Sequence, residues 1–376
     1  MIPEPHSFED LLSDRIAWVD RLDDAVLSGV PTLPAVVLLC DEADRPVQLL
    51  SSQNLRRTLR TRLVEPTPDG RRADVSGVVR AARWRIVASR FEADWIHLLT
   101  ARRWRPRGYG ELVALGRAWF VKLDLSSTPA QFVVTERVWS QPGPCVGPFP
   151  SRRTATDTLD LLVDLFDLCR HPRELARVPN GRRCAYVELG RCDGPCDGGA
   201  PLAPMLDRTA AAERFLSGNA ADWVAQADAR MRGEAAALRF EAANLLKQQV
   251  EAAQRWRKFS EARLRVVPGW RELLLVPLAR RKAVKPFVFL DGALNPGPVL
   301  KRASASEGAS AWARQHLTSP PAGDTPADLL DEQTWIVARH TDPDRPGRVP
   351  TVRLESEIDA ASLSSRVEAA LSAKTA

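Results

Sequence analysis

Four cysteines in one short stretch are the residues of this chain whose type and spacing best suit chemistry. They fall within 28 positions, in the spacing Cys-x14-Cys-x7-Cys-x3-Cys. Thiolates held this close together are the usual ligands of a tetrahedral metal ion or an iron–sulfur cluster. Nearby Arg182, Arg183 and Arg191 would offset the negative charge of ligating thiolates. This cysteine quartet consists of Cys169, Cys184, Cys192 and Cys196.

Two simpler interpretations compete with a metal site. Disulfides are rare in the cytoplasm, which is the predicted location because the first residues, MIPEPHSFEDLL, lack the basic and apolar regions of a secretory signal. Buried free cysteines would lie on apolar faces, since cysteine behaves as a small hydrophobe. Three of the four instead lie among Arg, Gly, Asp and Pro. The stretch therefore favours a ligand loop, and its spacing leaves both zinc and an iron–sulfur cluster open.

Length and composition indicate a globular protein of two or three domains. The chain has 376 residues, of which 44% are hydrophobic and 27% charged, and it has no apolar run long enough to span a bilayer. We therefore expect no membrane partner. The net charge of +6 favours an anionic partner, with nucleic acid first. A GC-rich genome would also raise the arginine content, so charge adds modest support.

The elements that must position these residues predict an α+β fold. Residues 1–28 have apolar residues at helical spacing and predict one N-terminal helix. Residues 29–110 predict a small α/β domain with a strand hairpin, a third strand and two helices. Residues 111–150 predict a strand pair and a linker, whose end, PGPCVGPFPS at 142–151, is expected to be a rigid loop.

The second half of the chain begins with the cysteine region at 151–205, in which an apolar helix leads straight into Cys169. Residues 206–259 predict an antiparallel helical hairpin that turns near Arg239. Residues 260–376 predict a small α+β unit.

Several segments resemble known proteins. CVGPFPS (145–151), DTLDLLVDLFDLC (157–169) and RRCAYVELGRCDGPCDG (182–198) resemble the middle of the UvrC family, the incision subunit of bacterial nucleotide-excision repair. LRFEAANLLKQQVEAA (238–253) resembles the UVR motif of that family. The strand hairpin and NLRRTLRTRL (54–63) resemble its GIY-YIG nuclease domain.

The resemblance implies a cofactor and two partners. In the family, four cysteines at these positions hold an iron–sulfur cluster, so we expect [4Fe-4S] in the quartet, with zinc as the alternative. The UVR-like hairpin is expected to bind a similar hairpin on a UvrB-like protein, and DNA is the second expected partner. The predicted partner-binding residues are Leu238, Phe240, Ala243, Leu246 and Val250.

The nuclease-like domain departs from the family pattern. The family uses two tyrosines, an Arg, a metal-binding Glu and an Asn. Those positions fall here on Val37, Gln48, Thr58, His97 and Tyr109. The chain has two tyrosines, and neither restores the pair. The base and the metal ligand that phosphodiester hydrolysis needs are therefore missing, and we predict no catalytic residues.

Three functions remain open from the sequence. The first is a nuclease-dead UvrC-like protein that binds DNA, UvrB or both. The second is an endonuclease with a site rebuilt around Arg57, Glu92 and His97, and the third is a metal-bound adaptor unrelated to repair. DNA binding would use two arginine clusters as phosphate contacts, although a charge run is usually a solvated helix face. The predicted DNA-binding residues are Arg56, Arg57, Arg60, Arg62, Arg102 and Arg103.

Overall fold

The fold combines three antiparallel sheets with helices, so the predicted α+β class is confirmed. The computed structural model of the chain describes residues 7–64, 74–141, 143–278, 282–318, 325–355 and 358–372. Within those ranges, every helix is too short or too polar to cross a membrane.

The N-terminal unit is a four-stranded sheet with helices on both faces. Its strands are β1 (Asp14–Ala17), β2 (Ala35–Cys40), β3 (Pro46–Ser52) and β4 (Ala81–Ile86), in the spatial order β1–β4–β2–β3. Its helices are α1 (Phe8–Leu11), α2 (Asp24–Ser28), α3 (Leu55–Leu59) and α4 (Arg90–Trp104). Strand side chains alternate between faces, so Val36 and Leu38 pack with α4 while Val37 and Leu39 pack with α3.

The single helix predicted over residues 1–28 is wrong within the described part of the chain. Residues 8–28 form α1, β1 and α2 instead. The side chains of Ser7 and Asp23 each accept a backbone N–H at a helix start, so two capping signals divide the segment. Leu11 and Leu27 also pack on opposite faces of the sheet, which one straight helix could not reach.

The middle unit is a second four-stranded sheet. Its strands are β5 (Trp119–Asp124), β6 (Gln131–Thr135), β7 (Cys145–Phe149) and β8 (Arg265–Val267), in the order β6–β5–β7–β8. The rigid loop predicted at 142–151 is wrong for 145–149, because β7 pairs with both β5 and β8. Cys145, Val146 and Phe149 are buried there. A Cβ on Gly147 would lie 2.3 Å from the Phe120 ring, so this close packing requires glycine.

The helix α5 (Arg152–Phe166) follows β7 and leads into the cysteine segment, as predicted. That segment contains two single-turn helices, α6 (Pro172–Leu175) and α7 (Ala185–Glu188), and a 3-10 turn at Pro195–Asp197. Its own core is small, with Leu175, Cys196 and Met205 buried. Most of its residues therefore gain little stability from apolar burial.

A helical hairpin follows the cysteine segment. It consists of α8 (Ala203–Arg214), a π-helical turn (Phe215–Asn219), α9 (Ala220–Ala236) and α10 (Phe240–Arg263). The chain reverses at Leu238, which has a positive φ of 61°, so the predicted turn near Arg239 is confirmed.

The C-terminal unit is a five-stranded sheet with helices on both faces. Its strands are β9 (Arg271–Leu278), β10 (Ala283–Leu290), β11 (Ala293–Pro296), β12 (Leu300–Lys301) and β13 (Thr351–Arg353). Its helices are α11 (Ala305–Thr318), α12 (Ala327–Thr341) and α13 (Ala360–Ser372). One face packs against α11 and α13. The other joins α12 and α4 in one core, in which the Phe91 and Phe287 rings are 5.0 Å apart. The N-terminal and C-terminal units therefore share a core.

Candidate functional site

The cysteine quartet is presented by short, separate pieces of backbone. Cys169 lies two residues after Asp167, whose left-handed conformation ends α5, and Cys184 is the N-cap of α7. Cys196 lies in the 3-10 turn that Gly194 initiates with a φ of 76°. Its carbonyl oxygen accepts the N–H of Gly181 at 2.8 Å, which joins the turn to the loop before Cys184.

The four thiols lie close enough to influence one another. Burial raises the pKa of Cys169, and negative charge on Cys196, Cys192 or Cys184 would raise it further. Burial likewise raises the pKa of Cys196, with additional contributions from Asp197, Cys184 and Cys192. Thiolates this close repel one another, and a bound cation would remove that repulsion.

The two cysteines outside the quartet are isolated in apolar cores. Burial raises the pKa of Cys40 to about 11 and that of Cys145 to about 12. Both side chains are fully buried, on β2 and β7 respectively. Thiols with such high pKa values stay protonated at neutral pH, which suits packing better than metal binding.

The quartet supplies suitable donor atoms for a metal ion, but the observed arrangement of the described side chains does not form a metal site. Across the described ranges, no three or more His, Cys, Asp or Glu side chains are arranged to hold a metal ion. Charge on the neighbouring thiols still contributes to the raised pKa values of Cys169 and Cys196. The residues present therefore fit a thiolate-bound centre by donor type alone.

The five positions that correspond to the family's nuclease residues do not form one cluster. Val37 is fully buried on the α3 face of the sheet. Gln48 is paired with Leu39 across β2 and β3 and so shares that face, where its Oε1 atom is buried without a hydrogen-bond partner among the described residues. Thr58, on α3, shares a hydrogen bond of 2.7 Å with Ser52. His97 and Tyr109 pack with the opposite face, in the core around α4.

His97 has both ring nitrogens engaged. Its Nε2 atom lies 2.9 Å from the Leu112 carbonyl oxygen, which can only accept, so Nε2 carries the proton. Its Nδ1 atom therefore accepts from the Ser51 hydroxyl at 3.0 Å. Burial lowers the pKa of His97, which keeps the ring neutral at pH 7. With both nitrogens engaged, the ring has no lone pair free for a metal.

The rebuilt site predicted from Arg57, Glu92 and His97 is not assembled. Glu92 is buried and accepts from Lys285 Nζ at 2.5 Å and from the Ala88 N–H at 2.8 Å. Arg57 lies on α3, across the sheet from α4. Because Glu92 is held by the C-terminal sheet, it cannot serve a metal beside His97.

The first predicted arginine cluster is largely used inside the protein. Arg56 Nε donates to the Val30 carbonyl oxygen at 2.7 Å. Arg60 forms an ion pair with Asp24 at 2.6 Å. Arg62 is half-buried and is not free either. Arg56 and Arg60 therefore hold α3 against the preceding loop and α2.

The second cluster is divided between contact and exposure. Arg102 binds Asp328 at 2.9 Å and Glu332 at 2.8 Å, which joins α4 to α12. Arg103 is exposed, with its guanidinium 5.8 Å from the Phe8 ring. Arg57, from the first cluster, is exposed too. Arg57 and Arg103 are thus the two predicted DNA contacts that remain accessible.

The predicted partner-binding residues divide by burial. Ala243, Leu246 and Val250 are less than a tenth exposed and pack inside the protein. Leu238 and Phe240 are 74% and 65% exposed. Leu245, which was not among the predicted partner-binding residues, is also exposed. We call Leu238, Phe240 and Leu245 the hairpin tip.

The fold defines an α+β protein with a cysteine-rich segment after the third strand of its middle sheet. Residues 119–214 match the family model of the UvrC/Cho excinuclease middle domain. That range contains β5 to β7, α5, the whole quartet and α8. The expected resemblance is confirmed for this segment, which is similar to the UvrC/Cho excinuclease middle domain. No solved structure matches the chain.

Proposed function

We propose that this chain is a nuclease-dead, UvrC-like protein of DNA repair that binds DNA, a UvrB-like protein, or both. The observation that carries the proposal is the match of residues 119–214 to the UvrC/Cho middle domain, which contains the whole cysteine quartet. The nuclease-like and UVR-like segments lie outside the matched range, so they rest on residue patterns and on the contacts described above.

Loss of cleavage is supported by the contacts at the corresponding positions. Val37 is an apolar core residue, and the nearby carboxylate of Glu92 is neutralised by Lys285. Metal-dependent hydrolysis of a phosphodiester needs a ligand for the cation and a base for the water. The side chains that correspond to the family's catalytic residues supply neither.

We propose that the quartet holds a [4Fe-4S] cluster, with zinc as the alternative. Such a centre, when bound, would supply four strong bonds to a segment whose own core is small. The chain's own part is to present Cys169 from the end of α5 and Cys196 from a tight turn. We expect the role of this centre to be structural, because its binding would join the loop that contains Cys196 to the end of α5.

We propose that the hairpin tip is the contact for the UvrB-like partner. Leu238, Phe240 and Leu245 are large apolar side chains left in water at one end of the α9–α10 pair. Burying such side chains contributes about 1.5–3 kcal/mol each. Ala243, Leu246 and Val250 would act indirectly, because they hold the two helices in place.

The test combines a cleavage assay with a pull-down. Purified protein is incubated with nicked, bubble and duplex DNA in Mg²⁺ or Mn²⁺, and separately with immobilised UvrB. We expect no cleavage, with retention on UvrB that Phe240→Ser abolishes and the matched exposed change Val299→Ser does not. Metal-dependent cleavage would refute the nuclease-dead assignment. Absence of both DNA and UvrB binding in a metal-loaded protein would favour the adaptor.

A further inference from the structure

A cleft of about 800 Å³ opens where the middle unit, the end of α10 and the C-terminal unit meet. It contains neither the cysteine quartet, nor the nuclease-like positions, nor the hairpin tip. Its volume lies within the range of about 300–1,000 Å³ typical of ligand sites.

Arginine dominates the charge of this cleft. Five arginines and two aspartates are among the described residues that line it. Three of the five are balanced by carboxylates at short range: Arg117 by Glu136 at 2.8 Å, Arg263 by Asp344 at 2.6 Å and Arg265 by Glu272 at 2.6 Å. Arg339 and Arg345 complete the set.

Arg339 and Arg345 carry positive charge that is poorly balanced. Arg339 lies 3.9 Å from Asp94, which already binds His340 at 2.8 Å. Arg345 donates to the carbonyl oxygen of Arg339 at 3.0 Å, a neutral acceptor. Burial lowers the pKa of Arg345, the charges of Arg339 and Arg90 lower it further, and Asp94 and Asp342 offset part of this lowering. An anion between these guanidiniums would relieve their repulsion.

The walls of the cleft strengthen this effect. Phe149 and Trp270 line it and are only 3% and 2% exposed, and the buried Ala118 and Ala338 extend the apolar surface. Positive charges in excess above low-dielectric walls concentrate the electric field and raise the local concentration of counter-ions. The cleft therefore favours a ligand with more than one negative charge.

We propose that this cleft binds the phosphate groups of a nucleic-acid strand, with Arg339 and Arg345 as direct contacts. The proposal rests on the DNA binding proposed above and assigns it a site. Arg56, Arg60 and Arg102 of the clusters predicted from sequence are already held by main-chain oxygens or carboxylates. A free nucleotide would present the same phosphate chemistry, so the test must separate the two sources.

The experiment measures fluorescence anisotropy of labelled single-stranded and duplex oligonucleotides at several salt concentrations. Wild type is compared with Arg339→Gln/Arg345→Gln, with the charge-preserving Arg339→Lys/Arg345→Lys, and with Arg57→Gln/Arg103→Gln as the matched pair of exposed arginines. We expect the cleft Gln pair to weaken binding about tenfold or more, since charge-assisted contacts are individually strong. It should also make the plot of log binding constant against log salt concentration less steep, by about 1 to 2 in slope.

The lysine pair should bind within about threefold of wild type, because Coulomb attraction to phosphate needs the charge more than the guanidinium shape. Thermal unfolding of all variants controls for folding. If the Gln pair is unstable, comparison of the lysine pair with wild type still tests whether positive charge at these two positions is enough for binding. ATP should compete with the strand weakly.

Three results would overturn the proposal. DNA bound equally by wild type and the cleft Gln pair, but lost in Arg57→Gln/Arg103→Gln, would move the site to the exposed arginines and leave DNA binding itself intact. Tight ATP binding that depends on Arg345, without strand binding, would make a free nucleotide the ligand. If wild type binds no DNA even at low salt, the proposed DNA function fails together with the cleft.

Discussion

Replacing Lys285 with methionine should lower the free energy of unfolding strongly, although Lys285 lies outside the segment that matches the family model. Lys285 Nζ lies 2.5 Å from Glu92, and the two side chains are 11% and 4% exposed. The pair joins β10 to α4 inside the core that the N-terminal and C-terminal units share. Methionine keeps the length of the side chain but leaves the Glu92 carboxylate buried without its cation.

The expected loss is about 3–5 kcal/mol, which is typical for removing one partner of a buried ion pair. That is a large fraction of a usual stability of about 5–15 kcal/mol. The double variant Glu92→Gln/Lys285→Met should recover most of the loss, because no unpaired charge remains and the amide oxygen can still accept from the Ala88 N–H.

The assay is urea unfolding followed by tryptophan fluorescence, with free energies taken by linear extrapolation. Lys301→Met, an exposed lysine on β12 of the same sheet, is the matched control and should change stability by less than about 0.5 kcal/mol. A loss below about 1 kcal/mol for Lys285→Met, or a double variant as unstable as the single one, would refute the reasoning that the two units depend on this pair.

Four further predictions concern the quartet, the acid response, the hairpin and the nuclease-like domain. Serine at any position of the quartet should remove the iron or zinc measured per chain, while Cys40→Ser should keep it; the reverse pattern would make the ligand assignment wrong. The free energy of unfolding should fall as pH drops below about 6.5, because burial lowers the pKa of His340 and the unfolded chain then binds the proton more readily; an unchanged pH slope in His340→Gln would contradict this. Phe240→Ser should change stability by less than about 0.5 kcal/mol and Leu246→Ala should cost about 2–5 kcal/mol, both read by urea unfolding, and equal costs would show that the tip is not exposed in solution. Val37→Tyr should destabilise by about 1–3 kcal/mol through overpacking and restore no cleavage, so a stable and active variant would refute the nuclease-dead assignment.

Sequence alone determined the elements whose pattern is local. The helix α4, the helix that leads into Cys169 and the turn near Arg239 each follow from apolar spacing and end signals within the segment itself. The spacing of the quartet predicts that four thiols share one centre, and this stays a prediction, because across the described residues no three such side chains are arranged to hold a metal ion. Whether they hold iron or zinc stays a prediction, because spacing sets donor type and not metal identity.

Where the local sequence favours more than one secondary structure, contacts with the rest of the fold decided which one forms. The proline and glycine of β7 favour a loop locally, but pairing with two strands and burial of Val146 and Phe149 outweigh that preference. The apolar residues of 8–28 fit one helix, yet they divide between two faces of a sheet whose other three strands lie later in the chain.

The roles of charged residues were decided by the tertiary structure alone. The sequence around Arg102 and Glu92 would be the same if these side chains bound a ligand instead of another part of the protein. Their partners, Glu332 and Lys285, lie 230 and 193 residues further along the chain. A charge finds its counter-charge across space, so no pattern along the sequence could show that α4 is covered by the C-terminal unit. The same long-range packing leaves Arg339 and Arg345 together at a cleft, because only the folded chain brings α12 beside the middle sheet.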